Sequence, residues 1–392
     1  MSKYLKITTD KSPLSYKSGE EMKFTVNAFD ENGNKLNQKI AYRISGDDGK
    51  IFEGITDISE NDGALITSSC DRPGFVRLMI RALNDDLSCD NEYILYNAGA
   101  GADTQKIEYH GTIPDDYNDY WNNIKKEVNS FDLKILETEP YYNDISDDYL
   151  CFDIKLSTPL SSGKVSGFLT YPKKEGKYPV RVTYQGYSVA GCVAPECEKN
   201  TIVLLINAHG IENGFSNEVI QNKYKHLANY GFEDDKNLLP QTSYWQGVMV
   251  RDLVAVRYAK TLPMWNKKDL IISGGSQGAF QSAIVAANDD DVTSLALYIP
   301  WFCDLNAEKF GYQAGWRPKP ANGLEYFDTV AAIMNVKCPV LIHAGLGDYV
   351  CPPCTTMALY NCAKSPKSIT YTQCMEHGAA PDDYDSFVLK EE

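Results

Sequence analysis

The sequence predicts a two-part protein in which an all-β region precedes an α/β region built on a mostly parallel sheet. In about the first 95 residues, short strands separated by turn signals follow one another without helical periodicity between them. From about residue 178 onward, apolar strands alternate with helical segments, a pattern typical of a sheet with helices on both faces. A length of 392 residues suits two or three domains.

The all-β region is predicted to cover residues 1–96 as an antiparallel sandwich of immunoglobulin-like type. Met22–Phe29 alternates apolar and polar side chains, as a strand with one buried face does. The turn signal Asn32-Gly33 follows it, and Ile40–Ile44 and Phe75–Arg81 are further strands. We expect this region to be a spacer or an oligomer contact, with carbohydrate binding as the alternative.

The segment Asn97–Ala102 contains only small residues, and we predict a flexible linker and the domain boundary there. The α/β region is then predicted to cover residues 105–392. It begins with a helix near Pro114–Lys126, whose early aspartates and late lysines suit the helix dipole.

The stretch Ile271–Phe280 is the centre of the α/β region, because an apolar strand runs through Gly-x-Ser-x-Gly into a helix. Gly274 and Gly278 lack side chains, so the turn can be tight and the flanking elements can pass close to each other. Such a turn exposes the hydroxyl of Ser276 beside the free N–H groups of a helix N-terminus. We therefore predict that Ser276 is a nucleophile; the alternative is a serine that only caps the helix.

A serine nucleophile needs a base and a carboxylate, which follow it in the order acid, histidine in folds of this kind. Of the five histidines, only His343 and His377 come after Ser276. His343 lies inside an apolar strand, where a buried structural histidine is expected, whereas His377 follows the last strand. Asp348 comes directly after the strand that ends at residue 344. We predict Asp348 and His377 as partners; a turn aspartate and a surface histidine are the alternatives.

Two backbone N–H groups should hold the oxyanion, and we predict those of Gln277 and Tyr187. Gln277 follows the nucleophile, and Tyr187 follows a glycine that allows a close approach after an earlier strand. Trp301 and Phe302 follow the next strand and are predicted to form the wall of the acyl pocket. His209 also ends a strand, and we expect it to line the cleft.

Charge and composition exclude several classes of partner. A formal net charge of −15 argues against nucleic acid and anionic membrane surfaces, and no apolar run approaches the length of a membrane span. Eleven scattered cysteines do not form a disulfide scaffold, and the single C-x-x-C at residues 351–354 lacks further zinc ligands. Met1–Lys6 has no apolar signal core, so we expect either an exported protein with a trimmed signal, slightly favoured, or a cytoplasmic one.

These motifs resemble the acetyl xylan esterase and cephalosporin C deacetylase family, carbohydrate esterase family 7. The resemblance covers roughly residues 112–381 and is carried by four segments: Gly274–Gly278, Tyr184–Tyr187, Gly345–Pro353 and Asp119–Trp121. It implies an α/β-hydrolase fold that removes short acyl groups, mainly acetyl, from sugar hydroxyls. It also implies Ser276, Asp348 and His377 as the triad, and the N–H groups of Tyr187 and Gln277 as the oxyanion hole.

The sequence departs from the pattern of the family in three places. Ala208–Gly210 stands where the family usually has Arg-Gly-Gln, and Cys354 stands where it usually has serine. Glu376 precedes His377, whereas the family usually has His-Glu. Family members often form closed hexamers that admit small substrates, so a homo-oligomer is one option for this chain.

We therefore predict a serine esterase that acts on acylated carbohydrate such as acetylated xylan or xylo-oligosaccharides, with no metal or cofactor. A second interpretation keeps the triad and changes the ester to a methyl or aryl ester of a plant polysaccharide. A third is a carbohydrate-binding or assembly protein whose active site has decayed.

Overall fold

The computed structural model describes residues 4–84, 86–88, 96–143, 145–159, 163–378 and 384–391. Residues 1–3 of the predicted N-terminal segment and residue 392 lie outside the described residues. None of the helices in the described ranges is both long and apolar enough to cross a bilayer.

Within residues 4–102, the described strands form two four-stranded sheets, and each pair of neighbouring strands within a sheet is antiparallel. One sheet contains β1 (Tyr4–Thr9), β2 (Met22–Phe29), β3 (Lys35–Leu36) and β6 (Ala64–Ser68). The other contains, in spatial order, β5 (Ile51–Ile58), β4 (Gln38–Gly46), β7 (Gly74–Leu83) and β8 (Tyr96–Ala102). Their apolar faces share one core, in which Phe24, Ile44 and Leu78 are buried.

The flexible linker predicted at Asn97–Ala102 is wrong, because these residues belong to strand β8, which pairs with β7. Ala98, Ala100 and Ala102 are buried in the core between the two sheets, and the glycines between them point to the opposite side. The small residues therefore permit close packing on both faces of one strand. The division into two domains stays a prediction.

The α/β region is built on one ten-stranded mixed sheet. Its strands are β9 (Ile135–Pro140), β10 (Tyr149–Ser157), β11 (Lys164–Pro172), β12 (Tyr178–Tyr184), β13 (Ile202–Ile206), β14 (Trp265–Gly275), β15 (Ser294–Tyr298), β16 (Val340–Gly345), β17 (Lys367–Thr372) and β18 (Ser386–Glu391). The spatial order is β18-β17-β16-β15-β14-β12-β13-β11-β10-β9. The strands from β13 to β17 in this order pair in parallel, so their carboxyl ends gather at one edge.

The α-helices are α1 (Tyr117–Ser130), α2 (Asn217–Lys223), α3 (Tyr244–Ala259), α4 (Gln277–Asn288), α5 (Thr329–Ile333) and α6 (Pro353–Cys362). Short 3₁₀ helices lie at Thr104–Lys106, Lys225–Leu227, Lys236–Leu238, Ala307–Phe310 and Asn322–Phe327.

Helices α3, α4 and α6 pack against strands of the large sheet, α1 packs against α3, and α5 packs against α4 and α6, so these five described helices form one continuous layer. The prediction of helices on both faces is therefore wrong for the described residues. The central strands alternate buried side chains with partly exposed ones, such as Ser273 and Thr370, and Leu341 on β16 is 54% exposed. Small and polar side chains such as Ser273 and Thr370 can face water on the second face beside Leu341. The small apolar cluster of Cys151, Phe168 and Cys192 is buried there without a helix.

Candidate active site

The sharp turn at Ser276 follows from the close approach of β14, β12 and α4. Ser276 lies between β14 and α4 with φ 54° and ψ −118°, a backbone conformation that non-glycine residues rarely adopt. A Cβ on Gly278 would lie 2.0 Å from the carbonyl oxygen of Tyr184, and one on Gly274 would lie 2.4 Å from the Gly278 carbonyl group. The two glycines of the motif are therefore required by packing, and together they hold the serine in its strained position.

The structure brings Ser276, His377 and Asp348 into one hydrogen-bonded row. His377 Nε2 lies 3.0 Å from Ser276 Oγ, and His377 Nδ1 lies 2.9 Å from Asp348 Oδ2. A carboxylate can only accept, so Nδ1 carries the proton and Nε2 is free to accept one from the serine hydroxyl. This arrangement can activate a hydroxyl for attack on an ester carbonyl.

Asp348 is held in a fixed orientation at the end of β16. The side chain is fully buried, and its Oδ1 accepts hydrogen bonds from the backbone N–H groups of Val350 and Cys351, both at 2.9 Å. One oxygen is therefore anchored to the backbone, while the other faces His377. The loop after the strand thus aims the carboxylate at the imidazole.

The backbone N–H of Gln277 lies in the first turn of α4, where N–H groups have no intrahelical acceptor. The side chain of Gln277 is buried; its Oε1 accepts from the hydroxyl of Tyr230, and its Nε2 donates to Gln281 Oε1 at 3.0 Å. Gln281 in turn donates to both carboxylate oxygens of Asp252. Burial raises the pKa of Asp252 to about 8. A buried polar network thus fixes the start of α4.

Both ring nitrogens of His209, which is predicted to line the cleft, make hydrogen bonds within the protein. Nε2 lies 2.8 Å from the carbonyl oxygen of Ser188, and Nδ1 lies 2.6 Å from the hydroxyl of Tyr244. The carbonyl can only accept, so Nε2 carries the proton and the tyrosine donates to Nδ1. Burial lowers the pKa of His209 to about 4. This neutral histidine supports the loop of Tyr187, which precedes Ser188.

Aromatic side chains surround the loop of Tyr187. Its ring stacks on Tyr230 at 4.2 Å and meets Trp316 edge-on at 4.7 Å between ring centroids. Trp316 is 42% exposed, and Phe232 packs against it at 4.8 Å. No sequence pattern marks Trp316 and Phe232, because both lie in irregular segments without periodicity.

The two predicted pocket residues are both buried but differ in their contacts. Trp301 is buried, donates from its backbone N–H to Ser276 O at 3.3 Å, and donates from Nε1 to the carbonyl of Trp316 at 2.6 Å. Phe302 is buried against Phe280 and Trp245, with ring centroids 4.8 and 5.5 Å away. Trp301 therefore backs the serine turn, whereas Phe302 belongs to the core beneath it.

Within the described ranges, one group of residues has ligand atoms close enough to hold a metal ion: Asp348, Cys351 and His377, whose atoms lie within 4.8 Å of one another. Asp348 and His377 already hydrogen-bond to each other. A metal ion would have to replace that contact.

Comparisons with known proteins agree on one family. The model of the acetyl xylan esterase (AXE1) family matches residues 103–308 and 319–388. The chain is similar to the acetyl esterase Axe7A of Xylanibacter ruminicola, with 26% identity over 387 residues that cover 92% of this chain and 84% of the relative.

Two solved structures show the same fold over 70% of this chain. The acetyl xylan esterase from Paenibacillus sp. R4 is 19% identical with a TM-score of 0.56 and covers 70% of this chain and 93% of its own. Acetyl xylan esterase 1 from Thermoanaerobacterium sp. JW/SL YS485 is 21% identical with a TM-score of 0.54 and covers 70% of this chain and 92% of its own.

Proposed function

Since the chain belongs to the acetyl xylan esterase family and is a carboxylic ester hydrolase, we propose that it removes acetyl groups from xylan or xylo-oligosaccharides through an acyl-enzyme on Ser276. The observation that carries the proposal is the row of hydrogen bonds from Ser276 through His377 to Asp348. The strained turn at Ser276 and the burial of Asp348 support it.

In the first half of the proposed reaction, Ser276 Oγ attacks the carbonyl carbon of the acetyl group while His377 Nε2 takes the hydroxyl proton. Asp348 holds the other ring nitrogen and stabilises the positive charge that forms on the imidazole. When the C–O bond to the sugar breaks, His377 returns its proton to the leaving sugar oxygen, and the acetyl group stays on Ser276.

In the second half, His377 Nε2 takes a proton from a water molecule, whose oxygen attacks the acetyl carbonyl. The bond to Ser276 Oγ then breaks, the serine regains its proton from His377, and acetate leaves. Negative charge forms on the carbonyl oxygen in both halves. We assign its stabilisation to the backbone N–H groups of Gln277 and Tyr187, whose loops are fixed by the Tyr230 and His209 contacts.

We further infer that residues 4–102 are an immunoglobulin-like sandwich. The pairing of β1 and β6 with β2 in one sheet, and the order β5-β4-β7-β8 in the other, support this assignment. The shared apolar core between the two sheets supports it as well.

Hydrolysis assays of the parent and a Ser276→Ala variant test the proposal. Both are incubated with p-nitrophenyl acetate and with acetylated xylo-oligosaccharides, and the release of nitrophenol and of acetate is measured. We expect the parent to hydrolyse both substrates and the variant to lose at least about 10⁴-fold in kcat.

Three results would contradict the proposal. Turnover that survives in the Ser276→Ala variant would remove the nucleophile. Hydrolysis of the aryl ester without the sugar ester would favour another natural ester. A parent that hydrolyses neither substrate would favour a binding protein.

A further inference from the structure

We propose that the all-β region is a positioning element of the active site, because it holds the two loops that carry Asp348 and His377. These are the acid loop, residues 345–350, and the base loop, residues 373–378. The inference rests on the proposed function, in which both residues activate Ser276. Four sets of contacts support it.

The acid loop packs directly on the backbone of β8. A Cβ on Gly99 would lie 2.6 Å from the carbonyl oxygen of Leu346, and a Cβ on Gly347 would lie 2.3 Å from the carbonyl oxygen of Asn97. Neither contact leaves room for a methyl group without movement of backbone atoms. The position of β8 therefore sets the position of the loop that carries Asp348.

The base loop is attached to the same strand through a side-chain amide. Gln373 Nε2 donates to the carbonyl oxygen of Gly99 at 3.0 Å, and Gln373 Oε1 accepts from the N–H of Gly99 at 3.0 Å and from that of Cys374 at 3.2 Å. Gln373 is buried, and it pairs with the edge of β8 as a neighbouring strand would. The side chain of Cys374 enters the core between the two sheets of the all-β region.

A polar chain connects the two loops across the all-β region. The guanidinium of Arg77 lies 3.9 Å from the ring centroid of Tyr349, which directly follows the proposed acid. Arg77 Nε and Nη2 donate to Asn97 Oδ1 at 3.0 and 2.8 Å, and Asn97 Nδ2 donates to Glu376 Oε1. Glu376 directly precedes the proposed base. Residues next to both partners of the serine are thus joined through β7 and β8.

The two loops also contact each other. The N–H of Gly347 donates to the carbonyl oxygen of Met375 at 3.0 Å, and a Cβ on Gly345 would lie 2.1 Å from the same oxygen. A shift of either loop therefore moves the other. Displacement by about 1 Å is enough to cost a catalytic group up to about 100-fold in rate.

Steady-state kinetics of four variants test the inference. Arg77→Ala and Glu376→Ala each break the polar chain at one point, and the double variant breaks it at both points. Glu376→Gln keeps a side-chain oxygen that accepts from Asn97 Nδ2. Arg43→Ala is the matched control, because Arg43 lies on neighbouring β4 and pairs with Glu53 of the same sheet. For each, kcat and KM with p-nitrophenyl acetate, the Tm and the low-field proton NMR signal of His377 Nδ1–H are measured.

We expect each alanine variant of the chain to lower kcat about ten-fold with KM changed by less than about two-fold. The double variant should lose about as much as the worse single variant, because both substitutions break one chain. The His377 Nδ1–H signal should weaken in the same variants. Glu376→Gln and Arg43→Ala should match the parent in kcat and in the signal.

The inference would be overturned if Arg77→Ala and Glu376→Ala both kept the kcat and the NMR signal of the parent. It would also be overturned if Glu376→Gln lost as much kcat as Glu376→Ala. If Arg77→Ala fails to fold, the comparison of Glu376→Ala with Glu376→Gln decides, because Glu376 is exposed. Ser276→Ala, assayed alongside, separates the two proposals. If the Ser276→Ala variant is active, the proposed function is wrong. If it is inactive while the Arg77→Ala and Glu376→Ala variants keep the kcat of the parent, only the positioning role is wrong.

Discussion

The two sides of the active site are held by different parts of the molecule. The serine side, which comprises Ser276 and the Tyr187 loop, is fixed by contacts within the α/β region, such as Tyr230 to Gln277 and His209 to the carbonyl next to Tyr187. The acid–base side, which comprises the acid loop and the base loop, rests on β7 and β8 of the all-β region. One catalytic row thus depends on two supports that are distant in sequence.

The two supports also differ in kind. Buried side-chain hydrogen bonds hold the serine side, and such groups are costly to leave unsatisfied. Tight glycine packing occurs on both sides, and the buried side chain of Gln373 supports the acid–base side, but the acid–base side also relies on a partly exposed polar chain. Damage to the first should therefore appear mainly as lost stability, and damage to the second mainly as lost kcat. The following predictions test this difference.

The largest effect is expected for Gly278→Ala on the serine side. The new Cβ would lie 2.0 Å from the carbonyl oxygen of Tyr184, so β12 and α4 would have to separate. We expect a loss of more than about 4 kcal/mol in the free energy of unfolding, measured by urea denaturation. Gly275→Ala is the matched control in the same motif, because its nearest neighbour would be 3.9 Å away. Equal stability of the two variants would contradict the prediction.

His209 should make the stability of the serine side depend on pH. Its pKa falls to about 4 in the folded protein from an ordinary value near 6.5, so the unfolded chain takes up a proton first as the pH falls. The neutral ring therefore contributes roughly 3 kcal/mol to the free energy of unfolding above about pH 6.5, and this contribution is lost as the pH falls to about 4. Urea denaturation across this range should show a steeper decline for the parent than for His209→Gln. Parallel curves would be the contrary result.

Gly99→Ala tests the acid–base side from within the all-β region. The added methyl group would lie 2.6 Å from the carbonyl oxygen of Leu346 and should push the acid loop away from its partner. We expect kcat for p-nitrophenyl acetate to fall about 30-fold, equivalent to about 2 kcal/mol, with little change in KM.

Gly378→Ala is the control for Gly99→Ala, because it adds a methyl group beside His377 where no contacting atom of the described residues lies within 4 Å. It should keep kcat within about two-fold of the parent. If both variants lose the same activity, the contact between β8 and the acid loop has no special role.

The smallest effect is expected for Tyr230→Phe, which removes the hydroxyl that donates to buried Gln277. An unsatisfied acceptor should lower the free energy of unfolding by about 1 kcal/mol and leave kcat within about three-fold. Tyr142→Phe serves as the control, because Tyr142 is 82% exposed. A large loss of kcat at unchanged stability would show that the two supports do not differ in kind.

The parts that sequence could predict are those with a local physical signature. The turn at Ser276 was predictable because an apolar strand, two glycines and helix-forming residues lie together in ten positions. Asp348 and His377 were selected by their order and by the strand ends before them, and the structure brings both within hydrogen-bond distance. Their catalytic roles stay predictions, and so does the export of the chain.

The parts that sequence could not predict depend on distant contacts. The alternating alanine and glycine of β8 have the composition of a linker. Gly99 is needed because the acid loop, about 250 residues later in the chain, packs against its backbone. The second face of the large sheet, which lies away from the helix layer, could not be predicted either, because apolar strands such as Ile202–Ile206 dominated the pattern. Nothing local in the sequence marks Tyr244 and Ser188 as the hydrogen-bond partners of His209.

The attachment of Gln373 to Gly99 has a consequence for synthesis on the ribosome. The all-β region emerges first, but the glutamine that covers the edge of β8 is added 274 residues later. At typical translation rates of about 5–20 residues per second, this edge waits between roughly 14 and 55 seconds for its cover. During that interval the N–H and carbonyl groups of Gly99 lack this partner, although Pro13 already pairs with Gly101 on the same edge. Unpaired groups on a strand edge favour intermolecular pairing, so a chaperone or rapid elongation should raise the yield of soluble protein.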